Sequence, residues 1–76
     1  MLMTNFDILI VENSIWCKQG MMKFLGEDIA INQKVKEKTN NLNTAFIADC
    51  IIKTEADYIS YLAEEIKKGR ELLCKR

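Results

Sequence analysis

The stretch ILIVENSIWCKQGMMKFL, residues 8–25, decides the fold of this 76-residue chain, and it reads in two ways. Ile8-Leu9-Ile10-Val11 is a short apolar run rich in β-branched residues, the form a buried parallel strand takes. On that reading Glu12-Asn13-Ser14 makes a tight turn. Asn13 or Ser14 then caps a helix that carries Ile15, Met22 and Leu25 inward, with Met21 and Phe24 widening the stripe, and that stops at Gly26. On the other reading, Ile8, Val11, Ile15, Met22 and Leu25 share one face of a single continuous helix. Periodicity alone does not separate four residues of buried strand from a turn of helix.

Working outward, Ile29-Ala30-Ile31 fits a brief strand or the first turn of a helix. Ile31, Val35, Leu42, Ala45 and Phe46 share a helical face, but the polar run Lys38-Thr39-Asn40-Asn41 interrupts it. Thr and Asn compete for backbone hydrogen bonds and favour turns. Cys50-Ile51-Ile52 is a buried strand end or the close of a helix. The last segment is the clearest. Thr54, with Asp57 three residues later, offers a capping box. Ile59, Leu62, Ile66 and Leu73 then form an apolar stripe that predicts a helix over 55–74. Glu64 and Glu65 precede Lys68 in the favourable order.

A chain of this length is one domain, residues 1–76, and hides only about 60% of its unfolded surface on folding. Hydrophobic residues make up 49%, ample for a core. Eleven basic residues balance eleven acidic ones, so no global basic field directs the chain to nucleic acid. Residues 67–76 are locally basic, which suits a helix C-terminus; a phosphate-contacting tail is the alternative. Cys17, Cys50 and Cys74 are far apart and there is no histidine, so neither a zinc site nor a cofactor is expected. The odd cysteine count, and an N-terminal MLMTNFDILIVEN without the pattern of a secretion signal, point to a reducing, cytoplasmic setting. No apolar run approaches a membrane span, and no membrane partner is expected.

Two blocks carry a resemblance. Residues 8–25 resemble the opening of a response-regulator receiver domain of the LuxR/NarL type: a hydrophobic strand, an acidic pair, then a basic residue, Gly and large apolar residues at fixed spacing. Glu12 and Asn13 stand at the acidic pair, and Lys18, Gly20, Met21, Phe24 and Leu25 at the helix positions. Residues 48–72 are similar to the last strand, its lysine (Lys53) and the last helix. The resemblance implies a truncated, flavodoxin-like α/β fragment, rich in helix, that has lost its centre. The interval from Leu25 to Cys50 is too short for three βα units, since one βαβ unit takes about 30 residues. Neither Asp28 nor Asp49 follows an apolar strand, so a phosphoacceptor is missing. Glu12 is left as a weak remnant of a metal site. The plain alternatives are a polar, helix-capping turn for Glu12 and Asn13 and a solvated side chain for Lys53.

The expected function is therefore non-enzymatic: a phosphorylation-incompetent, receiver-like regulatory protein acting by contact with a partner protein or as a homo-oligomer. No catalytic, cofactor-binding or metal-binding residue is assigned. Its candidate contact residues are Trp16, Met21, Met22, Tyr58, Tyr61 and Leu62, because Met and aromatic side chains suit adaptable interfaces. The second expectation is an all-α adaptor or chaperone that binds a partner protein, built from helices near 6–25, 29–52 and 55–74 as a three-helix bundle or hairpin. Continuous proline-free segments favour it.

Overall fold

The computed structural model describes residues 3–75 and contains two long antiparallel helices. The first, α1, spans Asn5–Lys38 and the second, α2, spans Leu42–Cys74. They are joined by Thr39, Asn40 and Asn41 into a hairpin of 57 × 14 × 13 Å. No strand occurs among the described residues. The α/β expectation is thus wrong, and with it the strand at Ile8–Val11 and the flavodoxin-like layout. The all-α expectation is closer, but it predicts one helix too many.

Seven-residue spacing explains why both helices run unbroken. In α1, Ile8, Ile15, Met22 and Ile29 recur every seven residues, interleaved with Val11, Lys18, Leu25 and Asn32. In α2, Ala45, Ile52, Ile59, Ile66 and Leu73 alternate with Ala48, Glu55, Leu62 and Gly69. Every one of these positions is half-buried or buried, while the opposite flanks of both helices lie in solvent. Alternating steps of three and four keep one seam facing its partner along the whole length, as in a coiled coil. Ile8-Leu9-Ile10-Val11 contributes Ile8 and Val11 to that seam. With no neighbouring strand to pair with, its β-branched character is overridden by the helical stripe.

The ends are set by polar side chains. Thr4 caps α1 in a capping box: its hydroxyl accepts from the Asp7 N–H, and the Asp7 carboxylate accepts from the Thr4 N–H, both at 3.1 Å. Asn13 and Ser14 therefore lie inside α1 rather than at its start, and Gly26 lies inside it rather than at its end. Thr54 and Asp57 lie inside α2, whose cap is Asn41; its side-chain oxygen accepts from the N–H groups of Asn43 and Thr44 at 2.9 and 3.1 Å. The polar run at 38–41 does break the chain as expected. Thr39 leaves the helix in an extended conformation, and its hydroxyl accepts from the Asn41 N–H at 3.1 Å. No described residue has positive φ, so this turn reverses the chain without a glycine.

Among the described residues only Ala48, Leu62 and Ile66 are buried, at 2%, 2% and 5% exposure. Near the open end the helices approach closely at Gly69. A Cβ placed there would lie 3.1 Å from the Ile15 side chain and 3.6 Å from that of Val11. Gly26, by contrast, has nothing within 4 Å of an added Cβ.

These contrasts set three expected outcomes. Gly26→Ala should stabilise the hairpin by about 1 kcal/mol, the helix-propensity difference, whereas Gly69→Val should destabilise it by pushing the helices apart. Leu62→Ala should cost about 2–5 kcal/mol, the range for a buried leucine. Urea unfolding followed by circular dichroism at 222 nm checks all three; a Gly69→Val variant as stable as the native chain would contradict the close approach.

Candidate interaction surface

The two broad sides of the hairpin differ in chemistry. On one side Gln33, Lys36 and Glu37 of α1 meet Asp49 and Ile52 of α2. Lys36 Nζ is 2.8 Å from Asp49 Oδ1, and Lys53 Nζ is 2.9 Å from Asp49 Oδ2. The two ammonium groups, Lys36 foremost, hold the Asp49 carboxyl below its ordinary range. The same contact raises Lys53. This bridge ties the helices together just beyond the turn, on a polar, solvated flank.

The other side is richer in apolar residues, although Leu9, Trp16 and Phe46 are exposed away from it. One turn outward from the seam on α1, Ile10, Cys17, Phe24 and Ile31 repeat every seven residues, with Met21 and Val35 between them and the seam. On α2 the corresponding rows hold Ile47, Tyr58, Tyr61 and Leu72. Helix geometry places these rows on one face. Contacts across the seam agree: Leu25 shares a groove with Thr54, Tyr58 and Tyr61, and Ile31 and Val35 share another with Thr44. Phe24, Ile31, Ile47 and Tyr61 are 68%, 60%, 58% and 54% exposed. Tyr58 and Tyr61 stack with ring centroids 5.9 Å apart, and the Tyr61 phenol, hydrogen-bonded to Glu65, is raised in pKa. Beside this face, Gly20 leaves a dent on α1 ringed by Trp16, Cys17, Met21, Lys23 and Phe24.

Of the contact residues named from the sequence, Trp16, Met21, Tyr58 and Tyr61 stand at the surface, with Trp16 the most open at 74%. Met22 and Leu62 instead face the seam, and Leu62 is core. Phe24, Ile31, Val35 and Ile47 were not anticipated as surface residues. The signal that finds them is the second seven-residue row beside the first.

The receiver-type positions are not brought together. Asp28 packs beside Glu55, two residues from Lys53. Glu12 precedes Asp28 by more than four helical turns, roughly 24 Å at 1.5 Å per residue. Glu12 and Asn13 are exposed within the N-terminal third of α1, and Lys53 is engaged by Asp49. No strand end gathers them, so the acidic-turn and lysine arrangement does not exist in this fold. The described residues hold no group of three or more side chains able to bind a metal. No described helix is long and apolar enough to cross a membrane. Cys17, Cys50 and Cys74 are unpaired and exposed.

One polar cluster interrupts the apolar side. The Glu55 carboxyl sits against Asp28, and its Oε2 is enclosed without a hydrogen-bond partner. Asn32 Nδ2 donates to the Asp28 carbonyl at 2.9 Å and reaches Asp28 Oδ2 at 3.3 Å. The Asp28 contact, with burial adding to it, raises the pKa of Glu55 above its ordinary value of 4.5.

Compared with known proteins, the chain matches no protein-family model, and no match was found among curated proteins or solved structures.

The Glu55–Asp28 contact has a pH signature. A carboxyl whose folded pKa is raised stabilises the fold fully below its unfolded value, and that contribution is lost as pH rises through the folded value. Stability should therefore fall as pH rises from 4.5 through the folded pKa of Glu55. Asp49, with its pKa lowered, acts oppositely: its contribution is present above 3.8 and is lost as pH falls through its folded value. Glu55→Gln should be more stable than the native chain at pH 7, with the difference vanishing near pH 4. Urea titrations at both pH values decide this; a pH-independent difference would contradict it.

Proposed function

We propose that the chain is a non-enzymatic, all-helical interaction module of the adaptor kind, whose apolar face docks on a protein. The observation that carries this reading is the apolar face spread over both helices, interrupted at Asp28 and Glu55. Soluble monomers seldom leave so many large apolar side chains together in water, and contiguous patches of this kind mark contact sites. Phe24, Met21, Tyr58 and Tyr61 supply the aromatic and Met side chains enriched at such contacts. The polar clusters fit a structural role: Asp49 ties α1 to α2 through Lys36, and Asp28 and Glu55 meet across the seam. Three exposed free thiols are compatible with a reducing setting.

The receiver-like regulatory role depends on an α/β layout that this chain does not have, and the interaction reading stands without it.

Photo-crosslinking in expressing cells tests the proposal. Benzoylphenylalanine at Phe24 or Tyr61 should give protein adducts, whereas the same group at Ala56 or Ala63, on the polar side, should give few or none. Equal yields from both sides would count against the apolar face as the docking surface.

A further inference from the structure

The hairpin is long and thin, and it exposes more surface than a compact chain of its mass. The accessible surface is 6022 Å². A folded monomer of 8.8 kDa is expected to expose about 4,800 Å². The radius of gyration is 17.2 Å, against about 11 Å for a compact chain of this length. The excess surface is therefore about 1,200 Å² per chain. Two chains that each hid this excess would bury about 2,400 Å², within the range of obligate homodimers.

Building on the interaction reading, we infer that the partner is a second copy of this chain, laid antiparallel on the apolar face to close a four-helix bundle.

The patterning fits that occupant. Helices in bundles are apolar at the two seam rows and at one flanking row, the third covering a second neighbour. Both helices here have such a flanking row, and on the same side, so one hairpin offers a face two helices wide. A two-fold axis needs only this one patch, used twice. The face is poor in charge, as the centre of a homodimer interface is. The charges it does carry are Asp28, set against Glu55, and Glu65, which lies 3.9 Å from Lys68. Asp7 and Lys38 stand at opposite ends of the α1 row. Antiparallel stacking of α1 on α1 brings Asp7 of each copy level with Lys38 of the other, while the stacked Tyr58–Tyr61 pair falls near the middle of the bundle.

Sedimentation equilibrium of the full chain should give twice 8.8 kDa. Phe24→Asp and Tyr61→Asp should each halve that mass, and Ala63→Glu on the polar side should leave it unchanged. If the monomeric variants unfold, the native chain still decides: its melting temperature should rise with protein concentration over about two decades, as folding coupled to association requires. With Cys17 and Cys50 replaced by Ser, a spin label on Cys74 should give an inter-copy distance approaching the 57 Å length of the hairpin; a short distance would overturn the antiparallel arrangement. A monomeric native chain with a concentration-independent melting temperature would overturn the self-partner. In that case, binding of the dye ANS would show the face free and leave the wider interaction reading standing. Absence of dye binding would end both.

Discussion

Two helices can cover each other along one stripe only. This constraint governs the rest of the molecule. Each α-helix of the hairpin has a single helical neighbour, so apolar side chains beyond the seam have nothing among the described residues to bury against. Among the described residues only Ala48, Leu62 and Ile66 escape water almost fully. Most seam residues are half-covered, which limits how much hydrophobic free energy the isolated hairpin can gain. The apolar rows flanking the seam follow from the same limit: the sequence carries more apolar surface than a two-helix layout can hide.

Polar groups then distinguish the two sides. Lys36, Asp49 and Lys53 keep one flank solvated and fasten the helices near the turn. Exposed ion pairs of this kind contribute little to stability, typically below about 1 kcal/mol, so their value is in fixing sidedness and register. Asp28 and Glu55 do the reverse. They bring two acids together at the seam on the apolar side, where one proton relieves the conflict. Gly69 removes a side chain where Ile15 and Val11 need room, and this sets the close approach at the open end.

Much of this was legible in the residues, though not all of it was read from them. The α2 stripe of Ile59, Leu62, Ile66 and Leu73 identifies its helix and its inner face, and the Thr39-Asn40-Asn41 run identifies the turn. The N-terminal half misleads because its signals are local. Four β-branched or aliphatic residues, a polar triplet and a glycine look like strand, turn and helix end, yet the seven-residue row runs through all of them. Thr4 and Asp7, a capping box in plain view, mark where α1 begins. Lys18, Asn32 and Glu55 obscure the seam rows because they are polar residues at inner positions. The family resemblance was carried by local patterns shared by strands and helices alike, and the α/β layout it implied is not found, since the described residues form no strand.

The short turn has a consequence for how the hairpin forms. Close to it, Lys36 meets Asp49 across a separation of 13 residues, whereas Ile15 meets Gly69 from opposite ends of the chain. Loop closure costs least for the nearest pairs, and each turn of seam that zips shortens the loop left for the next. Contacts near Thr39–Asn41 therefore form first and the open end closes last, so fraying begins at the termini. Changes in the turn alter the rate of folding, and changes near Ile15 and Gly69 alter the rate of opening.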